Sequence, residues 1–209
     1  MKICLVGNAK SIHLRRWAKW FVERGHEVHL VTPYGENVEG VKLYITYRKN
    51  IKFVNFIREA FIVRRLIRKI KPDIVHAHYV LSNGFFAAFA NYHPFVVSVY
   101  GSDVLRDAKE SKLKRIAITY VLKKADAVVH TAQFMKDYLH HEFKIPRDKI
   151  VRVPWGIDLN IFHKGYKKEV EKLREELGID KDTVVVLSNR HIHPKYNIEK
   201  IVKAIPIVI

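Results

Sequence analysis

Glycine, histidine, serine and aspartate cluster in four short segments of this 209-residue sequence, and each segment follows an apolar run. The segments are Gly7–His13, His76–Gly84, Tyr100–Leu105 and Pro154–Phe162. Glycine lets a backbone approach an anion closely, and histidine exchanges protons near neutral pH. Serine and aspartate hydrogen-bond to hydroxyl groups. The clusters therefore predict ligand-binding loops.

Individual positions in these loops leave two interpretations open. Gly7 lies at the start of a predicted helix, where anions are favoured, although a plain tight turn fits equally well. Gly101 and Ser102 are placed to offer backbone N–H groups to an anion. Asp103 either caps the next helix or contacts a sugar hydroxyl.

His76 and His78 are two residues apart in an extended segment, so their side chains point the same way. Such a pair fits a ligand contact or a buried, hydrogen-bonded histidine. No carboxylate or cysteine lies at metal-ligand spacing nearby, and Cys4 is the one cysteine of the chain. We therefore expect no metal site and no disulfide framework.

Three common catalytic motifs are missing from the sequence: G-x-G-x-x-G, G-x-x-x-x-G-K-[ST] and G-x-S-x-G. Their absence argues against a standard dinucleotide site, a P-loop and a serine hydrolase elbow. We expect no bound cofactor.

Short β-branched runs alternate with helical patterns along the chain, beginning with a strand at Lys2–Val6 and a helix at Ser11–Arg24. This alternation predicts an α/β fold, a doubly wound, mostly parallel Rossmann-like sheet. Ligands of such sheets bind beyond the carboxyl ends of the strands, where the four segments fall.

A domain boundary is predicted after residue 164. Residues 165–181 are highly charged and read as a connecting helix, and 183–188 (TVVVLS) read as a new strand followed by a helix. A strand and a helix cannot bury their own faces. Residues 182–209 therefore predict the opening of a second domain.

The formal charge of +17, from 38 basic and 21 acidic residues, predicts an anionic partner. Nucleic acid, anionic lipid and a phosphorylated small molecule all remain open. No apolar run reaches the roughly 18 residues of a membrane span, and the N-terminus does not read as a signal peptide. We expect a soluble cytoplasmic protein, and the single glutamine beside many charged residues favours a thermophilic source.

Residues 48–71 carry nine basic residues and one acidic residue, Glu59, beside a broad apolar face. A basic amphipathic helix is typical of a membrane-surface element, which would place the protein on the inner face of a membrane. An ordinary sheet-covering helix is the alternative.

Five sequence blocks occur in the order typical of one family: GNAKSIHLRRWAKWFVERGHEVHLVT, PDIVHAHY, SVYGSDVL, VPWGIDLNIF and LSNRHIHPKYNIEKIVKAI. Together they resemble the N-terminal half of family 4 glycosyltransferases, retaining enzymes of the GT-B fold. The resemblance implies transfer of a sugar from a nucleotide-diphosphate donor to an acceptor hydroxyl, such as a lipid-linked acceptor or a cell-surface glycan precursor. It implies no metal, since basic residues and helix N-termini neutralise the leaving diphosphate.

The resemblance also assigns roles by position. It places the catalytic groups at His78 and Asp103. It places the acceptor contacts at His13, Arg16, Tyr100, Gly101 and Ser102. It places the donor contacts at Gly7, Gly156, Arg190 and Lys195.

The sequence departs from the family pattern at several points. Tyr100 replaces the usual histidine, Trp155 replaces an asparagine, and Lys195 stands one position early. The later Glu-x7-Glu donor motif is absent, so we expect this chain alone not to transfer sugar. Two alternatives remain, a basic non-catalytic module that binds nucleic acid or anionic membrane, and a GT-B-type sugar-nucleotide epimerase.

Overall fold

The computed structural model describes residues 1–46 and 53–208. Arg48, Lys49 and Lys52, which belong to the predicted basic segment, lie outside the described residues. The chain divides into two compact units, Met1–Gly156 and Ile157–Ile209. The division falls inside the segment that the sequence assigns to the end of the first domain.

The first unit contains one parallel sheet, which confirms the predicted α/β Rossmann-like class. Seven strands pair in the order β3-β2-β1-β4-β5-β6-β7 within the described residues. They are β1 (Lys2–Val6), β2 (Glu27–Thr32), β3 (Val41–Ile45), β4 (Ile74–His78), β5 (Phe95–Ser98), β6 (Ala127–His130) and β7 (Ile150–Arg152).

Helices cover both faces of this sheet. Those of the first unit are α1 (Ile12–Val22), α2 (Phe53–Ile70), α3 (Phe85–Ala90), α4 (Ala108–Glu110), α5 (Lys112–Lys124) and α6 (Met135–Phe143). Helix α1 packs on one face, where Leu14 and Ala18 join Leu5 and Leu30 in a buried cluster. Helices α2, α3 and α5 pack on the other face around a larger core.

The strand order reverses beside β1, because β2 lies on one side of it and β4 on the other. The registers pair Val6 with Val31 of β2 and with Ala77 of β4. The connections that follow β1 and β4 run to opposite faces of the sheet, which opens a crevice between them at the carboxyl edge. The first residues after Val6 and after Ala77 line the two sides of this crevice.

Two short π-helical segments, Val80–Gly84 and Asp103–Asp107, follow β4 and β5. The sequence patterns predicted neither of them. Tyr79 precedes the first with φ of 79°, and Gly101 precedes the second with φ of 93°. Irregular helical turns of this kind often occur at functional sites because they redirect side chains.

The second unit contains α7 (Lys167–Glu176), a short turn of 3₁₀ helix at Pro194–Tyr196, and α8 (Ile198–Val208). The strand predicted at 183–188 was wrong, since the structure has no strand within 157–208. A strand needs a neighbour to accept its hydrogen bonds, and these residues have none there. Val184 and Leu187 are 86% and 82% exposed.

No helix in the described part of the chain combines the length and the apolar character that crossing a bilayer requires.

Gly84→Ala tests how tightly the segment after β4 packs. A Cβ at this position would lie 3.0 Å from Val121 Cγ1, 3.1 Å from the Tyr79 carbonyl oxygen and 3.3 Å from Val97 Cγ2. We expect a loss of about 1–3 kcal/mol in the free energy of unfolding, measured by urea denaturation. Gly156→Ala is the matched control, because a Cβ there meets nothing within 4 Å. Equal stability of the two variants would contradict this packing.

Candidate functional site

A polar cavity and a tryptophan cavity lie among the described residues of the first unit. The polar cavity, of about 270 Å³, is lined by Asn8, Ser11, Leu14, Pro33, Tyr34, His78, Tyr79, Ser82, Asn83 and Tyr100. The tryptophan cavity, of about 450 Å³, is lined by His13, Arg16, Trp17, Trp20, Val153, Pro154, Trp155 and Gly156. The polar cavity draws its residues from the segments after β1, β2, β4 and β5, at the edge where the sequence predicted a site.

Gly7 ends β1 and is buried. A Cβ at this position would lie 2.2 Å from Leu14 Cδ1 and 3.3 Å from His78 Cβ. The missing side chain therefore lets α1 approach the sheet beside His78. The Gly7 amide donates to the Val31 carbonyl oxygen at 3.1 Å, so the backbone already uses the N–H group. Its donor-contact role stays a prediction.

His76 and His78 point to the same face of β4, as predicted, with ring centroids 4.3 Å apart. The His76 Nε2 atom lies 2.8 Å from Ser98 Oγ, and the Trp17 ring packs edge-on against His76. Burial lowers the pKa of His76 to about 4. Burial and the neighbouring histidines hold the pKa of His78 well below its usual value. Both imidazoles are therefore neutral at pH 7.

One nitrogen of His78 has a partner and the other does not. The Nδ1 atom lies 3.0 Å from the Tyr100 hydroxyl. The buried Nε2 atom has no hydrogen-bond partner among the described residues. His78 also lines the polar cavity. A buried nitrogen without a hydrogen-bond partner is costly unless a ligand bonds to it. The Nε2 atom of His130 is buried and unpartnered among the described residues as well, but His130 lines neither cavity, so His78 is the candidate for a ligand contact.

Tyr100 replaces the histidine of the family pattern, and its hydroxyl connects two side chains of the polar cavity. It hydrogen-bonds with the Ser11 side chain as well as with His78. Burial raises the pKa of Tyr100 above its usual value, so the phenol stays protonated. A tyrosine that donates its proton to His78 Nδ1 leaves the His78 proton on Nε2.

His13 and Trp155 form a stacked pair, with ring centroids 3.7 Å apart and an interplanar angle of 21°. Tyr100 meets both rings edge-on. Burial, and then the charge of Arg16, lower the pKa of His13. The Arg16 guanidinium donates to the Gly156 carbonyl oxygen at 2.5 Å. The structure thus brings together three predicted acceptor residues and the predicted donor residue Gly156.

Asp103 makes backbone hydrogen bonds within the loops after β4 and β5, and its predicted catalytic role stays a prediction. It is fully buried and lines neither cavity. Its carboxylate accepts hydrogen bonds from the backbone N–H groups of Val80, Tyr100 and Val104 at 3.1–3.2 Å. Burial, opposed by these hydrogen bonds, raises its pKa to about 6. The burial argues against direct contact with a substrate and makes Asp103 a positioning residue.

Gly101 and Ser102 also form hydrogen bonds that stabilise the turn after β5. The Gly101 carbonyl oxygen accepts from the N–H groups of Val104 and Leu105, at 3.2 Å and 2.8 Å. The Ser102 side chain hydrogen-bonds with Tyr79. Neither residue lines the two cavities of the first unit, so their acceptor-contact roles stay predictions.

Arg190 and Lys195 belong to the second unit. The Arg190 guanidinium lies over the Tyr196 ring, 5.4 Å from its centroid. The side chain of Lys195 lies outside the described part of the chain. The donor-contact roles of both residues stay predictions.

Sequence reasoning missed several residues of the cavities. Tyr34, Tyr79 and Asn83 line the polar cavity, and the Asn83 side chain donates to the His78 carbonyl oxygen at 2.8 Å. All three tryptophans of the sequence line the tryptophan cavity. The sequence pattern placed Trp17 in the apolar stripe of the first helix and assigned no role to Trp20. The one sequence signal that could have grouped these residues with Trp155 is that all three are tryptophans.

No group of three or more histidine, cysteine, aspartate or glutamate side chains in the described ranges is arranged to hold a metal ion.

Comparison with protein families gives a match to the family described as glycosyl transferase 4-like, over residues 2–132. A D-inositol 3-phosphate glycosyltransferase of Corynebacterium glutamicum (strain R) is 28% identical over 147 residues, which cover 66% of this chain and 35% of that protein. One from Corynebacterium aurimucosum is 31% identical over 128 residues, 56% of this chain and 30% of that protein. The chain spans about a third of the length of these curated relatives.

Solved structures share the fold at low sequence identity. Sucrose-phosphate synthase from Thermosynechococcus elongatus superposes with a TM-score of 0.75 at 16% identity, over 98% of this chain and 59% of that one. WaaG, a glycosyltransferase involved in lipopolysaccharide biosynthesis, gives 0.66 at 13% identity, over 97% and 58%. Anabaena HepE in complex with UDP-glucose gives 0.64 at 16% identity, over 85% and 50%.

The buried histidines predict a loss of stability in mild acid. The folded-state pKa of His76 is about 4, below the usual 6.5, so the unfolded chain binds the proton more tightly. The contribution of His76 to stability is therefore full above pH 6.5 and falls by about 3 kcal/mol as the pH drops towards 4. The raised pKa of Asp103 acts in the opposite direction over the same range, so the His76 effect is taken from the difference between the original and the His76 variant. Urea denaturation at stepped pH measures the slope.

His76→Gln should flatten that slope, whereas the exposed His141→Gln should leave it unchanged. A slope that survives His76→Gln undiminished would show that other groups cause the acid sensitivity.

Asp103→Ala tests the positioning role of the buried carboxylate. The change leaves the N–H groups of Val80 and Tyr100 without their acceptor, so we expect a loss of about 3 kcal/mol or more in the free energy of unfolding. Asp103→Asn keeps one acceptor oxygen and should lose less. Asp148→Ala, at an exposed position, is the control and should change little. Chemical denaturation compares the four proteins, and a loss as small as that of the control would refute the role.

Proposed function

The chain belongs to the glycosyl transferase 4-like family, and from that premise we propose that it forms the acceptor-binding part of a retaining glycosyltransferase. In the proposed reaction, the bond between the anomeric carbon and the diphosphate of a nucleotide sugar breaks. A bond from that carbon to an acceptor hydroxyl forms on the same face. The acceptor proton passes to the departing diphosphate.

One observation carries this proposal: His78 lines the polar cavity, and its buried Nε2 atom has no hydrogen-bond partner among the described residues. Ser11 and Tyr100 form a hydrogen-bonded chain to His78 Nδ1, which supports a proton on Nε2. A neutral imidazole of this kind donates a hydrogen bond to a sugar or acceptor oxygen and carries no charge of its own. His78 is therefore proposed as a direct contact to the reacting groups.

The polar cavity suits a polyhydroxylated acceptor ring. Its lining supplies hydroxyl or amide groups from Asn8, Ser11, Tyr34, Tyr79, Ser82 and Tyr100, and it includes no lysine or arginine. At its rim, the Lys10 ammonium lies over the Tyr34 ring, 5.6 Å from the centroid. A ring whose hydroxyls bond in the cavity and whose phosphate reaches towards Lys10 fits this arrangement.

The names of similar proteins support the choice of substrates. The curated relatives are D-inositol 3-phosphate glycosyltransferases, and Anabaena HepE was solved with UDP-glucose. We propose an inositol-like polyol phosphate as the acceptor class and a nucleoside-diphosphate sugar as the donor. Arg190, whose guanidinium is a permanent charge, is proposed to contact the donor diphosphate.

The tryptophan cavity supports a second part of the acceptor. Trp17, Trp20 and Trp155 give it aromatic walls, and Arg16 gives it one cation. Aromatic faces bury apolar groups and the apolar faces of rings. An acceptor that carries an apolar or lipid-linked extension beside its ring would use this cavity.

Binding of the acceptor tests the proposal directly. Isothermal titration calorimetry of the 209-residue chain with D-inositol 3-phosphate should give a saturable heat, and His78→Ala should weaken binding by about tenfold, the effect of one lost hydrogen bond. Tyr100→Phe should weaken it by a smaller factor, because it no longer fixes the His78 proton on Nε2.

Tyr92→Phe is the matched control for Tyr100→Phe. Its hydroxyl donates to the Pro72 carbonyl oxygen, away from both cavities, so acceptor binding should not change. The proposal would be overturned if the chain bound none of D-inositol 3-phosphate, inositol and UDP-glucose at millimolar concentrations. It would also be overturned if the His78→Ala variant bound D-inositol 3-phosphate as tightly as the original chain.

A further inference from the structure

Exposed apolar side chains lie on helices α2 and α5, whose residues line neither the polar nor the tryptophan cavity. On α2 they include Ile57 and Phe61, which are 42% and 56% exposed. On α5 they include Leu113, Ile116 and Tyr120, which are 76%, 65% and 38% exposed. We refer to these five residues as the apolar strip.

The apolar strip belongs to one continuous layer of helices. Phe61 packs edge-on against Phe89 of α3 with ring centroids 5.1 Å apart, and Phe85 of α3 lies 6.0 Å from Tyr120 of α5. The inward sides of α2 and α5 share a single buried core, which includes Val63, Ile67, Ile118 and Leu122. The apolar strip therefore lies on the outer side of helices whose inner side is already packed into the buried core.

Basic side chains surround the apolar strip. Helix α2 carries five of them, Arg58, Arg64, Arg65, Arg68 and Lys69. Helix α5 carries five more, Lys112, Lys114, Arg115, Lys123 and Lys124. Lys114 pairs with Glu110 and Arg115 with Glu142, whereas Lys112 and Lys123 are exposed beside the strip.

Acidic groups are nearly missing from this layer. Helix α5 has none, and the one acid of α2, Glu59, is only 4% exposed. On a helical wheel, Ile57, Phe61, Arg64 and Arg68 fall on one face of α2, and Leu113, Ile116, Lys112 and Lys123 fall on one face of α5. Each helix thus presents apolar and cationic side chains together on its own exposed face.

From this placement we propose that α2, α3 and α5 dock the protein on an anionic lipid surface, with the apolar strip in the headgroup boundary and the lysines and arginines on the lipid phosphates. Anionic lipid complements both features of the surface. A nucleic acid would use the cations but would leave Leu113 and Ile116 in water. An apolar protein partner would bury the strip but would not complement the surrounding charge. The docking surface is independent of the proposed function, since it shares no residue with either cavity.

The sequence pattern located the basic segment at 48–71, and the structure adds α5. Leu113 and Ile116 are the most exposed residues of the apolar strip. We infer that α5 contributes most of the apolar contact and α2 most of the charge. A stretch of lysine-rich helix without such side chains would bind only by charge and would release fully in salt.

Vesicle flotation of the full chain tests the proposal. Vesicles of phosphatidylcholine with about one-third phosphatidylglycerol should carry the protein, and pure phosphatidylcholine should carry much less. Leu113→Ser/Ile116→Ser should weaken binding by about tenfold or more, because two side chains lose their apolar contact. Val170→Ser/Leu173→Ser is the matched control, since these two residues of α7 have the same spacing and are 50% and 53% exposed.

A dye on Leu113→Cys reports insertion separately from charge. Cys4 is fully buried, so an environment-sensitive dye will label the introduced thiol selectively. Its emission should shift to the blue with anionic vesicles, and the same dye on Val170→Cys should not respond. Raising the salt from about 0.1 M to about 1 M should weaken flotation while residual binding persists through the apolar strip.

Several outcomes would overturn the proposal. One is flotation that Leu113→Ser/Ile116→Ser leaves unchanged while circular dichroism shows all variants folded. Another is that the protein forms a dimer in solution in the absence of vesicles and that Leu113→Ser/Ile116→Ser dissociates this dimer. A third is salt-sensitive binding to oligonucleotides in place of vesicles.

Discussion

The buried carboxylate of Asp103 holds the edge of the sheet together. Strands β4 and β5 end side by side. The segment that follows each strand forms a short π-helical turn, which lacks the regular hydrogen bonds of an α-helix. The Asp103 carboxylate accepts hydrogen bonds from the backbone N–H of Val80, which follows β4, and from that of Tyr100, which follows β5. It thereby ties together the two segments that carry His78 and Tyr100. Together with the pairing of β4 and β5, that tie fixes the 3.0 Å contact between the His78 and Tyr100 side chains.

The site that results depends on hydrogen bonds made without charge. His76 and His78 are neutral because burial disfavours the imidazolium, and Tyr100 is protonated because burial disfavours the phenolate. Neutral groups in fixed orientation discriminate among ligands by the direction of donors and acceptors, since a misplaced hydroxyl leaves a buried polar atom unpaired.

Most of the sheet could be predicted from the sequence, because its strands are short apolar runs whose β-branched residues have few other options. The strand predicted at Lys2–Val6 coincides with β1, and the helix predicted at Ser11–Arg24 contains α1, Ile12–Val22. The residues 183–188 have the same composition but form no strand, because pairing depends on a neighbour that local pattern does not encode. The π-helical turns after β4 and β5 also escaped prediction, since their shape depends on the tertiary contact of Asp103 with Val80.

Residue roles were harder to predict than elements, for a physical reason. Sequence position places Asp103 beside a ligand loop, but only the three-dimensional arrangement shows that its carboxylate turns inward. Conversely, the pair His76 and His78 was predicted to share a face, since alternation along a strand fixes direction without reference to the rest of the fold. Direction along a regular element is a local property, and burial is a global one.

Basic residues are concentrated on two helices that do not line the polar cavity. The polar cavity is lined by no lysine or arginine, whereas α2 and α5 each carry five basic residues around exposed apolar side chains. A cationic cavity would attract many anions with little selection among them, because Coulomb attraction has weak directionality. Keeping the cations on the outer helices separates the two tasks. Long-range attraction acts on the whole protein through one surface, and the neutral hydrogen-bonding groups at the carboxyl edge of the sheet discriminate among the ligands that reach them.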